Sequence, residues 1–537
     1  MGINSRSHGK GRWLVPAMAL IAPFIVSSAA AASAKAEALV SAKCGTCHAA
    51  SEPGKWDRIS DSRRTPEGWD MTVARMTYAH GVVLSGTERR DIVKYLADEH
   101  GLAPQETASY RYILDRSPSV IEHFEDEEIG QTCARCHSYG RIAVQRRTEG
   151  EWRKLVHFHV GQYPAIEIQA GGRDRNWFEI ASGDVSQRLG KVYGLQSEAW
   201  KSWKETKHAS PQGKWRLVGH RPGWGGYEGT ATVSPGGDDT YRVDMRIKYA
   251  NGKVENAKGS SILYAGHEWR AKLRQGDKDI LQVFSLKEGG RELAGRWFEE
   301  GNDAIGGDFK AVRADGGTPV ILSVQPAMAR AGAKETLTIN GVGLKGEVSL
   351  GPDVVVSKVV SRTLEQLVVE VEVARDAETG VRTVSLDGVS SDGALKVYRS
   401  IDLVKIVPAH PMARVGDGGG KLPKVPAQLE AVAYAAGADG KPGTDDDLRL
   451  GVVDAKWGLA NLNEAAEKMR DLDFAGRIEP NGLFLPNEAG PNPKRVFSAN
   501  NAGELLVTAA VQDGDRTVSA QAPLIVTVQR WNDPPIR

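Results

Sequence analysis

Cysteine is scarce in this chain, with only 4 in 537 residues, and aromatic residues make up just 7% of it. Excess charge of either sign is nearly absent, since 69 Lys and Arg stand against 68 Asp and Glu. That balance, with no basic tract beyond the N-terminus, gives no ground for nucleic-acid binding. After the N-terminal segment no apolar run reaches the ~20 residues a transmembrane helix requires, so no membrane span is expected. The later, glycine-rich part holds no Gly-rich phosphate loop, no His-Glu-x-x-His pair and no nucleophile elbow. What the chain has in quantity is glycine, 60 residues of it. Many turns, short elements and few aromatics favour β-rich architecture, and the length asks for several domains.

Residues 1–34 have the pattern of a secretory leader. Arg6, Lys10 and Arg12 precede an apolar stretch from Trp13 to Val26, and Ala32-Ser33-Ala34 fits small-x-small cleavage. Export with cleavage near Ala34 is expected. A membrane anchor is the competing reading, but the strongly apolar run is too short.

In an oxidising compartment four cysteines suggest two disulfides. Their spacing argues otherwise. Cys44-Gly45-Thr46-Cys47-His48 and Cys133-Ala134-Arg135-Cys136-His137 use every cysteine in two Cys-x-x-Cys-His motifs. Two thiols so spaced can form thioethers to the vinyl groups of one haem, and the adjacent histidine then falls beneath the iron. Two covalently bound haem c groups are therefore expected, on Cys44 and Cys47 and on Cys133 and Cys136. His48 and His137 are the proximal ligands. A zinc site would need both pairs to converge on one metal.

An internal repeat bears on the distal ligands. Arg64-Thr65-Pro66-Glu67-Gly68-Trp69 is echoed by Arg147-Thr148-Glu149-Gly150-Glu151-Trp152. Seven residues past each tryptophan stand Met76 and His159, two helical turns on and on the same face. The repeat pairs His48 with Met76 and His137 with His159. Met71 and His80 compete with Met76, and His157 competes with His159. No methionine lies between His137 and Met245, so a distal ligand within the second unit is expected to be histidine. Thioether sulfur stabilises ferrous iron relative to imidazole, so electrons would run from the His/His site to the His/Met site.

Around the motifs, Ser85-x-x-Glu88 followed by Ile92, Tyr95 and Leu96 predicts a capped helix ending near Gly101. Trp200 and Trp203 are expected to pack inside the second unit. From about Pro211 the texture changes: Tyr241, Val243, Met245, Ile247 and Tyr249 alternate with polar residues, and Asn251-Gly252 marks a turn. The fold class read from the sequence is multidomain, an α-helical dihaem cytochrome c domain followed by three antiparallel β domains. The expected boundaries are 35–210 for the dihaem domain (units of about 35–104 and 105–210) and 211–316 for a barrel or sandwich. An immunoglobulin-like unit resembling IPT/TIG domains follows at 317–400, then a second immunoglobulin-like unit at 401–537. Trp215, Trp224, Trp269 and Trp297 are expected in the barrel core. The stretch from Asp439 to Asp447 is reminiscent of a calcium loop without the closing Glu of an EF-hand, and a solvated acidic loop is the preferred reading.

Two haem motifs, the repeat and three β units in this order make the chain resemble the alpha (dihaem cytochrome c) subunit of quinohaemoprotein amine dehydrogenase, over essentially its full mature length. Asp439-Gly440-Lys441-Pro442-Gly443-Thr444-Asp445-Asp446-Asp447, with Trp457 beyond, adds to the likeness. The resemblance implies a periplasmic heterotrimer with a propeller beta subunit and a small gamma subunit carrying cysteine tryptophylquinone. Primary amines would be oxidised at that quinone, and this chain would pass the electrons through its haems to a blue copper protein or soluble cytochrome c. No catalytic base for the amine is identified here. Rival readings are a dihaem subunit of another periplasmic dehydrogenase, a dihaem peroxidase, and a non-redox docking protein.

Overall fold

Helix starts, laid down locally by threonines, set the frame of the N-terminal part. The computed structural model describes residues 1–2, 28–117, 120–168, 174–237, 240–315, 318–418 and 422–528. Most of the expected leader, residues 3–27, lies outside the described residues. Helix α1 (Ser28–Cys44) precedes α2 (Pro66–His80), α3 (Gly86–Glu99), α4 (Glu127–Cys133) and α5 (Glu149–Gln162). Thr65 accepts from the Gly68 N–H and Thr148 from the Glu151 N–H, so the two echoed segments open their helices identically. The Ser85/Glu88 capping box forms with both of its hydrogen bonds, and His100 closes α3 one residue before Gly101. Thr148→Ala is expected to cost about 1 kcal/mol of local stability, seen as faster amide exchange in the first turn of α5.

Between the units lies a short antiparallel ladder of β1 (Ser62–Arg64) and β2 (Gln145–Arg147). Arg63 stands opposite Arg146, its counterpart in the repeat, so the two units meet about a local two-fold axis. The equivalence extends outward. Trp69 Nε1 donates to the His100 carbonyl at 2.9 Å and Trp152 Nε1 to the Tyr193 carbonyl at 3.2 Å. The same two carbonyls accept from the Arg64 and Arg147 N–H groups. Each unit has its own apolar core, with Val40, Trp69, Ile92 and Leu96 in the first and Ile129, Trp152, Leu189 and Tyr193 in the second.

Residues 213–313 form a closed, up-and-down barrel of eight antiparallel strands. Strand Thr240–Tyr249 buries every second residue, as its alternation dictates. Trp215, Trp269 and Trp297 fill the interior with Phe284, leaving a void of about 10 Å³, room for at most one water. Trp224 is only partly buried, at the barrel's edge. The barrel's outer face seats the helical part: Tyr264 joins the core of the first unit, and Val283 and Phe298 pack on Leu102, Leu114 and Val144. Trp203 differs from expectation. Its Nε1 donates to the Ala265 carbonyl at 2.8 Å and its ring meets His267, so it locks the second unit's last helix onto the barrel. That helix leads directly into the first barrel strand, which turns its apolar side to the barrel.

Residues 320–398 build a four-stranded and a three-stranded sheet around one shared core. The C-terminal part arranges its strands in three small sheets about another core. In the acidic loop, Asp439, Asp446 and Asp447 accept hydrogen bonds from backbone N–H groups of the loop itself. His220 of the barrel meets Glu430 of the C-terminal part at 2.6 Å. Burial disfavours the charged ring, but Glu430 and Asp308 outweigh it and raise its pKa above the usual 6.5, despite Arg449. The contribution is therefore full below the unfolded value and lost as pH rises through the raised folded one. His220→Gln is expected to flatten the fall in stability as pH rises above the ordinary imidazole value of 6.5, measured by denaturant unfolding at each pH.

Candidate haem-binding site

Each Cys-x-x-Cys-His motif hangs from the end of a helix. α1 ends on Cys44 and α4 on Cys133. The chain then turns tightly, the Cys47 and His48 N–H groups both donating to the Cys44 carbonyl at 3.1 and 2.9 Å. The first thiol of each pair is half-buried and the second exposed, and all four are free. Burial, then the neighbouring Cys136, pushes the Cys133 thiol up to about 12; burial and Cys47 raise Cys44 in the same direction.

The histidines share one arrangement. Nδ1 lies 3.0 Å from the Asp57 carbonyl in His48, 3.0 Å from the Ser138 carbonyl in His137 and 2.7 Å from the Leu155 carbonyl in His159. A carbonyl only accepts, so Nδ1 must donate, and in the neutral ring the lone pair falls on Nε2, the atom free to bind a metal. Burial holds both His137 and His159 below the usual imidazole pKa, and the charge of Arg141 acts in the same direction, keeping the rings neutral.

The two rings of the second unit lie with centroids 6.4 Å apart and planes inclined at 43°. An imidazole nitrogen sits about 2.0 Å from a bound metal ion, and bonds of about 1.33 Å put it roughly 1.1 Å from its ring's centre. Two imidazoles on opposite sides of one ion would thus have centres about 6.2 Å apart. The donor set fits an iron between them. Trp177 stands beside His159, its indole anchored to the Thr132 carbonyl at 2.9 Å. His157 is exposed and packs edge-on against Phe178. Helix α5 therefore turns His159, and not His157, toward His137.

In the first unit Met76 is half-buried near the end of α2, and no hydrogen bond joins it to His48 among the described residues. Met71 is engaged elsewhere, its sulfur 3.3 Å from Arg141 Nη2 across the junction, and His80 is exposed. Sequence reasoning missed the junction's own residues. Arg63 and Arg146, paired across the ladder, converge on one buried carboxylate, Glu106. The doubled arginines ahead of Thr65 and Thr148 were the available signal.

Residues 34–200 match the family model described as quinohemoprotein amine dehydrogenase A, alpha subunit, haem binding. Residues 208–314, 318–399 and 404–536 match the models for domains II, III and IV of the same alpha subunit. No curated protein matches the chain. Among solved structures, the redesigned β-barrel mFAP0 bound to DFHBI is 10% identical over 20% of this chain and 100% of that one, with a TM-score of 0.18. The gamma-CGTase from Alkalophilic bacillus clarkii is 10% identical over 56% of this chain and 41% of that one, with a TM-score of 0.14. Likenesses this slight carry no argument.

Proposed function

This chain belongs to the quinohemoprotein amine dehydrogenase alpha-subunit family, and on that premise we propose that it carries two haem c groups and passes electrons from a quinone in a partner subunit to a soluble acceptor. The family makes it one subunit of an oxidoreductase complex with a haem-binding domain. The finer reading is ours. Cys44 and Cys47, and Cys133 and Cys136, hold the haems by thioethers; His48 with Met76, and His137 with His159, take the iron positions. The pair of neutral imidazoles with centroids 6.4 Å apart supports this reading most directly. Haem, when bound, supplies one-electron storage at a potential set by its ligands and surroundings.

The chain's residues do the rest. Backbone carbonyls of Asp57, Ser138 and Leu155 fix the tautomer and aim of each ring. Trp177 and the surrounding apolar side chains limit water around His159. The Leu155 hydrogen bond holds His159 in place, which favours electron transfer over a peroxidase needing a displaceable ligand. The partners we propose are a propeller beta subunit and a gamma subunit bearing cysteine tryptophylquinone, where primary amines are oxidised. A blue copper protein or soluble cytochrome c would be the acceptor. We place the complex in the periplasm after cleavage near Ala34, and read the two β units beyond the barrel as immunoglobulin-like.

Purification of the native complex tests this. Mass spectrometry is expected to show this chain with the mass of two haems added and the leader missing, together with a small quinone-bearing subunit. A single haem, or brisk hydrogen-peroxide turnover by the isolated chain, would overturn it.

A further inference from the structure

The ladder between the two units has two faces of opposite character. On one, Arg63 and Arg146 share Glu106. On the other stand Arg64 and Arg147, stacked over Trp69 and Trp152 at 5.2 and 5.4 Å, and around them gather Arg58, Arg75 and Arg141. Among the described residues, the one carboxylate that pairs with any of these five is Glu151. It is already held by Arg58 at 3.3 Å and Lys154 at 2.7 Å, and Arg147 reaches it only at 4.0 Å.

The remaining guanidiniums are poorly matched. Arg64 is buried, donates to the Thr72 hydroxyl, and has an Nε with no hydrogen-bond partner. Arg75 lies over the Phe158 ring at 4.7 Å, and among the described residues the Arg141 side chain hydrogen-bonds only to the Met71 sulfur. Burying unpaired positive charge is costly, and an unsatisfied buried donor adds to the cost. Such a cluster calls for anions. Planar guanidinium forks suit carboxylates best. The cluster also reaches the histidine pair, since Arg75 lies over the ring of Phe158, and that ring is 6.5 Å from the ring of His159.

We propose that Arg64, Arg75, Arg141 and Arg147 form a carboxylate-binding clasp at the unit junction that receives the propionate groups of the bound haems. This rests on the haem reading above. Each haem carries two carboxylates, so two haems meeting here bring the negative charge that the arginines lack. Arginine beside a propionate stabilises the reduced haem, because the added electron is then better compensated.

The test uses the purified, haem-loaded protein. Arg64 and Arg147 are buried at the ladder, so Arg75→Gln and Arg141→Gln are the informative changes, with the exposed Arg153→Gln as control. In the first two, the midpoint potential of at least one haem is expected to fall, changing the ferric-to-ferrous ratio at fixed potential about tenfold, or about 59 mV for a one-electron couple. The resonance Raman propionate-bending band should shift with it. Arg141→Lys should restore most of the potential. If potentials fall with no change in that band, or do not fall at all, the clasp is wrong while the haem reading stands. A wild-type potential that responds to inorganic phosphate, with the response lost in Arg141→Gln, would mean a free-anion site and overturn the proposal. A wild-type chain without covalent haem overturns both.

Discussion

His159→Ala is expected to cost the protein roughly half of its low-spin haem signal, whereas His157→Ala should leave the spectrum unchanged. The two histidines sit two residues apart on α5, at positions pointing to different sides of the helix. His159 turns inward with its Nδ1 bound to the Leu155 carbonyl, its ring 6.4 Å from that of His137 and Trp177 at its side. His157 turns outward against Phe178. Removing the inward imidazole would take a strong nitrogen donor from the iron that His137 and His159 would hold, and weaker ligation favours high-spin iron. Electron paramagnetic resonance of the oxidised protein reads the change, and the other haem serves as an internal standard. The reverse result, loss on His157→Ala and none on His159→Ala, would refute the assignment. A parallel Met76→Ala chain is expected to lose a methionine–iron charge-transfer band while keeping the His/His signal.

Glu106→Ala is expected to destabilise the helical part by about 3–5 kcal/mol, the range found when one partner of a buried ion pair is removed. Arg63 donates to this carboxylate at 2.8 and 2.9 Å, the Ser197 hydroxyl at 2.9 Å and the Ala103 N–H at 2.8 Å, and Arg146 forms an ion pair with it at 3.1 Å. Without it, two guanidiniums from the two units are left facing each other in the interior. Burial alone would raise the Glu106 pKa, but the hydrogen bonds and charge of Arg63, then Arg146, outweigh it and hold it below the ordinary 4.5. The contribution is therefore present above that unfolded value and lost as pH falls through the lower folded one. Glu106→Gln should keep the shape, lose the charge, and show a stability less sensitive to acid. Denaturant unfolding followed by tryptophan fluorescence measures both variants. If Glu106→Ala unfolds at the wild-type denaturant concentration, the carboxylate does not hold the junction.

Features that depend on neighbours along the chain were legible from residues alone. The Ser85/Glu88 box and the pleat of Thr240–Tyr249 each need only a few adjacent positions. Trp203 was misjudged because its helix had two surfaces to choose between, the second haem unit and the barrel, and periodicity does not say which lies opposite. Glu106 was invisible for a similar reason. It is 43 residues from Arg63 and 40 from Arg146, and nothing local in a short helix marks a carboxylate as a shared counter-ion.

By itself, the sequence determined the four thiols and two adjacent histidines, because covalent spacing brings a Cys-x-x-Cys-His motif onto one side of one ligand whatever the rest of the chain does. It also narrowed the expected partner of His137 to His157 or His159 by leaving the second unit without methionine. Only the tertiary structure showed which of those two lies beside His137, since that depends on which face of α5 packs inward. It alone showed that the repeat is a two-fold junction with one face neutralised by Glu106 and the other left cationic. The physical reason is strand alternation: neighbouring arginines in a ladder must point to opposite sides, and what awaits them there is set by distant segments.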